Sequence, residues 1–185
     1  CQPDVAVITN IGISHIENLG TQENILKAKL EILDGAAYDA PLILCRDDKL
    51  LAGVQLHSDR KVYYYSVSKK DCDVYASGVK TVDNSITFTI NYEGGKIAAQ
   101  INCLGEHNVK NALAAFCVGL ALDIPPEDIV KGIAQFKPEG LRQNVTVIDG
   151  VTYIVDCYNA APDSMKASLS VLSQAQAEGK RICVL

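Results

Sequence analysis

Two stretches, DVAVITN (residues 4–10) and PLILC (41–45), are apolar almost without a break, and a helix-length segment lies between them. Short runs with no alternation suit strands buried on both faces, the habit of a parallel sheet covered by helices. The order strand, helix, strand therefore predicts an α/β fold. The helix is predicted over 22–34, with Thr21 as N-cap, Asn24 in the first turn and Gly35 as the stop.

From residue 61 the texture changes. KVYYYSV (61–67) leads into a segment, 73–104, in which polar and apolar residues alternate between turn signals at 83–84 and 93–95. That pattern predicts an antiparallel meander with one wet face. Two helices follow, over 108–122 and 126–135, the second with Pro126 in its first turn and acids behind it. FKPEGLRQN (136–144) carries proline and glycine and is a candidate domain boundary. Beyond it, 145–149 and 151–158 read as a hairpin or two short strands, 162–179 as a helix ended by Gly179, and RICVL (181–185) as a buried strand. The expected division is a first unit over 1–136, a linker over 137–144 and the start of a second unit over 145–185.

Composition narrows the function. A net charge of −5 on 185 residues argues against nucleic-acid binding as the main activity, though not against a local phosphate site. No apolar run approaches the roughly 18 residues of a membrane span, so membrane insertion is not expected. The chain opens on CQPDVAVI without methionine and stops at RICVL, and the expectation is a piece of a longer protein. The seven cysteines show no C-x-x-C spacing, and Cys45, Cys103, Cys117 and Cys183 sit in apolar runs. They read as reduced thiols of a cytoplasmic protein, the first three and Cys183 as small buried hydrophobes.

Three clusters carry chemistry. In the first helix, Ile25, Leu26, Ile32 and Leu33 define an apolar stripe, and Lys29 falls at its centre, roughly 40° from Ile25. Such a lysine either snorkels past the apolar stems to water or serves a site in which burial makes it reactive. His15 follows the C-terminal end of the first strand, where open parallel sheets bind ligands. In the second cluster, GEHNVKNALAAF (105–116), Asn108 and Asn111 share a helix face. Asn108 could be a cap, and the Asn111 amide could read the edge of a base or sugar. In the third, IVDCYNAAPDSM (154–165), Asp156 ends a strand, and Asp163 and Ser164 lie at a helix start suited to caps or anions. Arg142, in the preceding connection, is either a surface charge or a phosphate contact. Neither G-x-x-x-x-G-K-[ST] nor G-x-G-x-x-G occurs, so any phosphate chemistry lacks a glycine-rich cradle in these residues.

The blocks ITNIGISHIENLGTQENILKAKLEI, GEHNVKNALAAF and DCYNAAPDSM, in this order, resemble the Mur ligases, the ATP-dependent amide ligases of peptidoglycan synthesis. The similarity spans nearly the whole chain. It is greatest to the branch that uses UDP-N-acetylmuramoyl-tripeptide and D-alanyl-D-alanine. Folylpolyglutamate synthetases carry a related histidine–lysine block and are an alternative, as is a degenerate nucleotide-binding module. The resemblance implies part of a central ATP-binding domain, a parallel sheet with helices plus a small antiparallel sheet. The first part of a Rossmann-like C-terminal domain would follow. It implies ATP and Mg²⁺ as cofactors and a carbamylated Lys29 that holds a Mg²⁺ together with His15. It also implies Asn111 at the adenine, Arg142 at the phosphates, Asp156 near the ribose, and Tyr158 and Asn159 lining the nucleotide side. Asn108 and His107 belong to the motif with no sharper role. Catalysis would run through an acyl phosphate that the amine then attacks. The family's P-loop and a Mg²⁺-binding glutamate would lie before residue 1, so the chain alone is expected to be inactive. The family pattern DSYNANPDSM is altered here at Cys157 and Ala161, and alanine carries over no polar role.

Overall fold

The computed structural model describes every residue except Cys1, His15, His57, Ser58, Asp83, Glu139, Gln176, Glu178 and Leu185. Strands β1 (Ala6–Ile8), β2 (Leu42–Cys45) and β3 (Val62–Ser66) pair in parallel, β1 with β2 and β2 with β3. β2 is buried along its whole length, as its unbroken apolar run requires. The meander is β4 (Val74–Val82), β5 (Ser85–Tyr92) and β6 (Gly95–Ile101), antiparallel throughout. It does not form a sheet of its own. β3 pairs in parallel with β4 through Tyr65 and Val74, so one six-stranded mixed sheet runs from β1 to β6. Along β5, Ile86, Phe88 and Ile90 are buried in alternation, the period-two pattern read from the sequence. β4 carries a register shift between Ser77 and Lys80, where Gly78 takes φ +63°.

The helix predicted over 22–34 is interrupted. α1 (Ile16–Leu19) precedes α2 (Gln22–Leu30), which Thr21 caps by accepting from Asn24 N. After Glu31, a separate turn, α3 (Ile32–Gly35), carries the remaining apolar residues. α4 (Lys49–Ala52) follows β2. α5 (Glu106–Ala121) lies on the sheet with Val109, Leu113, Phe116 and Cys117 fully buried. Each such side chain contributes about 1.5–3 kcal/mol on leaving water. Phe116 meets Tyr92 edge-on, with ring centroids 5.3 Å apart. α6 (Pro126–Gln135) packs closely on α5 at Gly119, where a Cβ would stand 2.5 Å from Ile129 Cδ1.

After the connection, β7 (Asn144–Ile148) and β8 (Val151–Val155) form an antiparallel hairpin, and α7 (Pro162–Gln174) follows. α7 ends at Gln174, five residues before the predicted stop at Gly179. RICVL does not form the expected strand: residues 181–184 are irregular and exposed, and Cys183 with them. A buried strand needs neighbours to pair with, and no described residue pairs with this segment. Cys45, Cys103 and Cys117 are buried as predicted. Among the described residues no helix is long and apolar enough to cross a membrane.

Candidate functional site

The C-terminal ends of β1, β2 and β3 open at one edge of the sheet, where parallel α/β folds bind ligands. Beyond β1, Lys29 Nζ donates to Asn10 O at 2.8 Å. Helical phase placed Lys29 on the packed face of the helix; its Nζ does reach back to the end of β1, but the residue is not packed. Lys29 is exposed and not buried as the site reading required. With the helix interrupted at Glu31, Lys29 lies in the last turn of α2, at the rim of the core. His15 lies outside the described residues, so its predicted partnership with Lys29 rests on the sequence alone.

Just beyond β2, after Arg46, stand two acids that the sequence reading missed, Asp47 and Asp48. Asp47 accepts from Ser66 Oγ (2.6 Å), Ser68 Oγ (2.5 Å) and Val67 N (3.0 Å) at the end of β3. Lys110 Nζ on α5 lies 4.0 Å from Asp47 and 3.6 Å from Glu106. Burial pushes the Asp47 carboxyl up, but these donors and Lys110 outweigh it and hold it below its ordinary value. Asp48 caps α4, accepting from Leu50 N and Leu51 N, and also accepts from Ile11 N at 2.7 Å. The signal was present in CRDDKL: acids one residue beyond a buried parallel strand stand at the edge where such sheets bind ligands.

The second cluster opens α5. Gly105 takes φ +93°, and a Cβ there would fall 2.5 Å from His107 Cε1, so only glycine fits. The helix begins at Glu106, which makes Asn108 a first-turn residue and not the cap. Its amide donates to Leu104 O (2.8 Å) and to Gln143 Oε1 (3.0 Å). Asn111 Nδ2 lies 3.4 Å from Asn108 Oδ1, and Asn111 is exposed. Burial lowers the His107 pKa against the opposing pull of Gln143 and Asp156. Gln143 holds φ +47°, uncommon for a residue with a Cβ. Its contacts with α5 sustain that conformation. Nothing in its residue type signalled this role.

Gln143 brings the third cluster to the second. Arg142 stacks on Tyr158, 4.3 Å from guanidinium carbon to ring centroid. Leu141 O accepts from Cys157 N and Tyr158 N, fastening the connection to the end of β8. Ser168 Oγ donates to Asp156 Oδ2, and Asn159 Oδ1 accepts from Ala160 N. Ala161 precedes α7, and its N–H is taken by Ser164 Oγ at 3.0 Å, so the cap is made by serine. Asp163 Oδ2 stands 3.4 Å from where a Gly12 Cβ would be, which sets the start of α7 against the loop after β1. Asn108, Arg142 and Tyr158 thus meet in the 141–143 connection, with Asn111 bonded to Asn108 and Asp156 near His107, while the Asn159 bond is local to Ala160. Lys29 instead bonds to Asn10 O, at the end of β1.

This architecture and motif order define a class. The family model of the Mur ligase middle domain matches residues 1–119, and the chain belongs to the Mur ligase family. Within it, the chain is 39% identical over 184 residues to the UDP-N-acetylmuramoyl-tripeptide--D-alanyl-D-alanine ligase of Bacillus subtilis (strain 168). That match covers 99% of this chain and 39% of the relative. A UDP-N-acetylmuramate--L-alanine ligase of Chlorobaculum tepidum is 29% identical over 98% of the chain and 38% of its own length. The crystal structure of MurF from Acinetobacter baumannii superposes with a TM-score of 0.87 at 32% identity, covering 95% of this chain and 38% of that one. The chain therefore spans about two fifths of the length of the relatives it matches.

Proposed function

We propose that these residues are the core of an ATP-dependent ligase that joins D-alanyl-D-alanine to UDP-N-acetylmuramoyl-tripeptide in the cytoplasm. The observation that carries this reading is the 39% identity, along 99% of the chain, to the B. subtilis ligase of that name. Residues 1–136 would belong to the ATP-binding domain, 137–144 to a linker and 145–185 to the start of the C-terminal domain.

The side chains around 141–143 suit a nucleotide. Asn111 is exposed and spends one N–H on Asn108. Its carbonyl and second N–H remain for the donor and acceptor on an adenine edge. Tyr158 covers the face of the Arg142 guanidinium, leaving its N–H edge for phosphate oxygens. Ser168 holds one Asp156 oxygen, and the other would accept from a ribose hydroxyl. Asn159 and Tyr158 would line the same side, with Asn108 fixing Asn111 from below.

The tripeptide carboxylate attacks the γ-phosphorus of ATP, the bond to the β-phosphate oxygen breaks, and acyl phosphate and ADP form. The amine of D-alanyl-D-alanine then adds to the acyl carbon, loses a proton and expels phosphate. Alignment of the two substrates supplies much of the rate, with Arg142 offsetting phosphate charge. Mg²⁺ would supply further charge neutralisation. Among the described residues, however, no three histidine, cysteine or acidic side chains converge to hold a metal. Lys29 as an ammonium is a donor and no ligand. Carbamylation would give it oxygen donors. With His15 it would then supply part of a Mg²⁺ shell and not a whole one.

The test is ADP release by the complete enzyme, with each substrate omitted in turn. Release that needs both UDP-N-acetylmuramoyl-tripeptide and D-alanyl-D-alanine is expected, and none from the 185-residue chain alone. Release with UDP-N-acetylmuramate and L-alanine, or with a folate and glutamate, would replace this reading.

A further inference from the structure

The Asn10–Ile11 peptide group stands between two opposite charges. Lys29 Nζ donates to its carbonyl oxygen at 2.8 Å, and its N–H donates to Asp48 Oδ2 at 2.7 Å. The negative end of the peptide dipole thus faces an ammonium and the positive end a carboxylate. Both bonds are charge-assisted, and each polarises the group in the sense that strengthens the other. The next carbonyl, that of Ile11, accepts from Gln22 Nε2 at 2.9 Å. Ile11 is itself buried, so an unpartnered N–H at this position would be costly. Asp48 has no freedom to follow a shifting loop. Its Oδ1 is committed to Leu50 N at 2.9 Å and Leu51 N at 3.1 Å, directly behind the buried strand β2.

We propose that Asp48 is a positioning residue for Lys29. It does not touch Lys29. It fixes the plane of the Asn10–Ile11 peptide, and that plane presents the carbonyl on which the Lys29 side chain rests at the end of β1. Without the second carboxylate oxygen, the peptide turns to find another partner for its N–H, and Lys29 loses its anchor. The inference rests on the reading of Lys29 as a site residue of the ligase.

The test is Asp48→Asn in the complete enzyme. An amide has one acceptor oxygen where the carboxylate has two, so it can cap α4 or hold Ile11 N–H, but not both. Hydrogen exchange at Ile11 is expected to accelerate about tenfold or more, as for one lost charge-assisted bond, with Leu44 unchanged. Turnover is expected to fall about tenfold while the KM for ATP stays within about twofold, because the nucleotide contacts hang on α5 and 141–143. Asp48→Ser, whose hydroxyl still caps α4, guards against a folding defect and is expected to show the same pair of changes. Unchanged Ile11 exchange in both variants, unchanged turnover, or turnover and KM moving together would overturn the inference. If the unmodified enzyme releases no ADP with D-alanyl-D-alanine, the ligase reading fails, and the exchange at Ile11 still decides whether Asp48 holds this peptide.

Discussion

The two sides of the candidate site are held in different ways. Asn10 and Asp48 follow β1 and β2, Lys29 of α2 rests on Asn10, and Leu42, Ile43 and Leu44 of β2 have no exposed surface. Arg142, Asp156 and Tyr158 hang on the β7–β8 hairpin, where every residue of β7 is exposed and Val147 keeps 65% of its surface. The two strands are similarly rich in β-branched and aliphatic residues. What separates them is company. β2 has a parallel neighbour on each edge and α5 on one face, whereas β7 pairs with β8 alone. One side of the site is therefore fixed by the core. The other is fixed by a few polar contacts, chiefly Asn108 to Gln143 and Leu141 O to Cys157 and Tyr158.

The largest expected effect attacks the shared foundation. Leu44→Ala empties a fully buried position in β2 and is expected to cost about 2–5 kcal/mol in urea unfolding. A loss below about 1 kcal/mol would mean that β2 is not the rigid side. Next comes chemistry without foundation. Lys29 is exposed, so Lys29→Ala is expected to leave the melting temperature close to that of the unmodified enzyme while turnover drops about a hundredfold, within the range for loss of a group that acts in the transition state. Turnover near that of the unmodified enzyme would remove Lys29 from the mechanism.

The smallest effects belong to the polar side. Gln143→Ala removes the acceptor for Asn108 while keeping a Cβ at φ +47°, and is expected to cost about 1–2 kcal/mol and to raise hydrogen exchange in 141–143. The same contacts should respond to acid. Burial lowers the His107 pKa from its ordinary 6.5, so the unfolded chain binds the proton more readily than the folded one. Stability from the neutral imidazole is complete above about 6.5 and is lost as pH falls below it, toward the folded pKa. A denaturation series from neutral to mildly acidic pH should show this slope, and His107→Gln should flatten it. The Asp47 carboxyl, held low, works further down: its contribution is present above 3.8 and is lost as pH falls below that value toward its folded pKa.

Much of this was legible beforehand. Unbroken apolar runs marked β1 and β2, alternation marked the meander, and Thr21 marked the start of α2. Asn108, Asn111 and Arg142 stood out by spacing and residue type and Tyr158 through the family resemblance; Asn108 bonds Asn111 and Gln143, and Arg142 stacks on Tyr158. Asp47, Asp48 and Gln143 were not found. Their roles come from donors far away in the chain, such as Ile11 N and Ser66 Oγ, and pattern reading within one segment does not see these.

The sequence by itself determined the family and the type of most elements from β1 to α7, because periodicity and local capping are properties of neighbouring residues. Only the tertiary structure decided that the meander continues the parallel sheet and that Lys29 lies at the rim. Burial and pairing depend on which segments arrive beside one another. An apolar run becomes a core strand only where another strand's N–H and C=O groups meet its own and a helix covers its face.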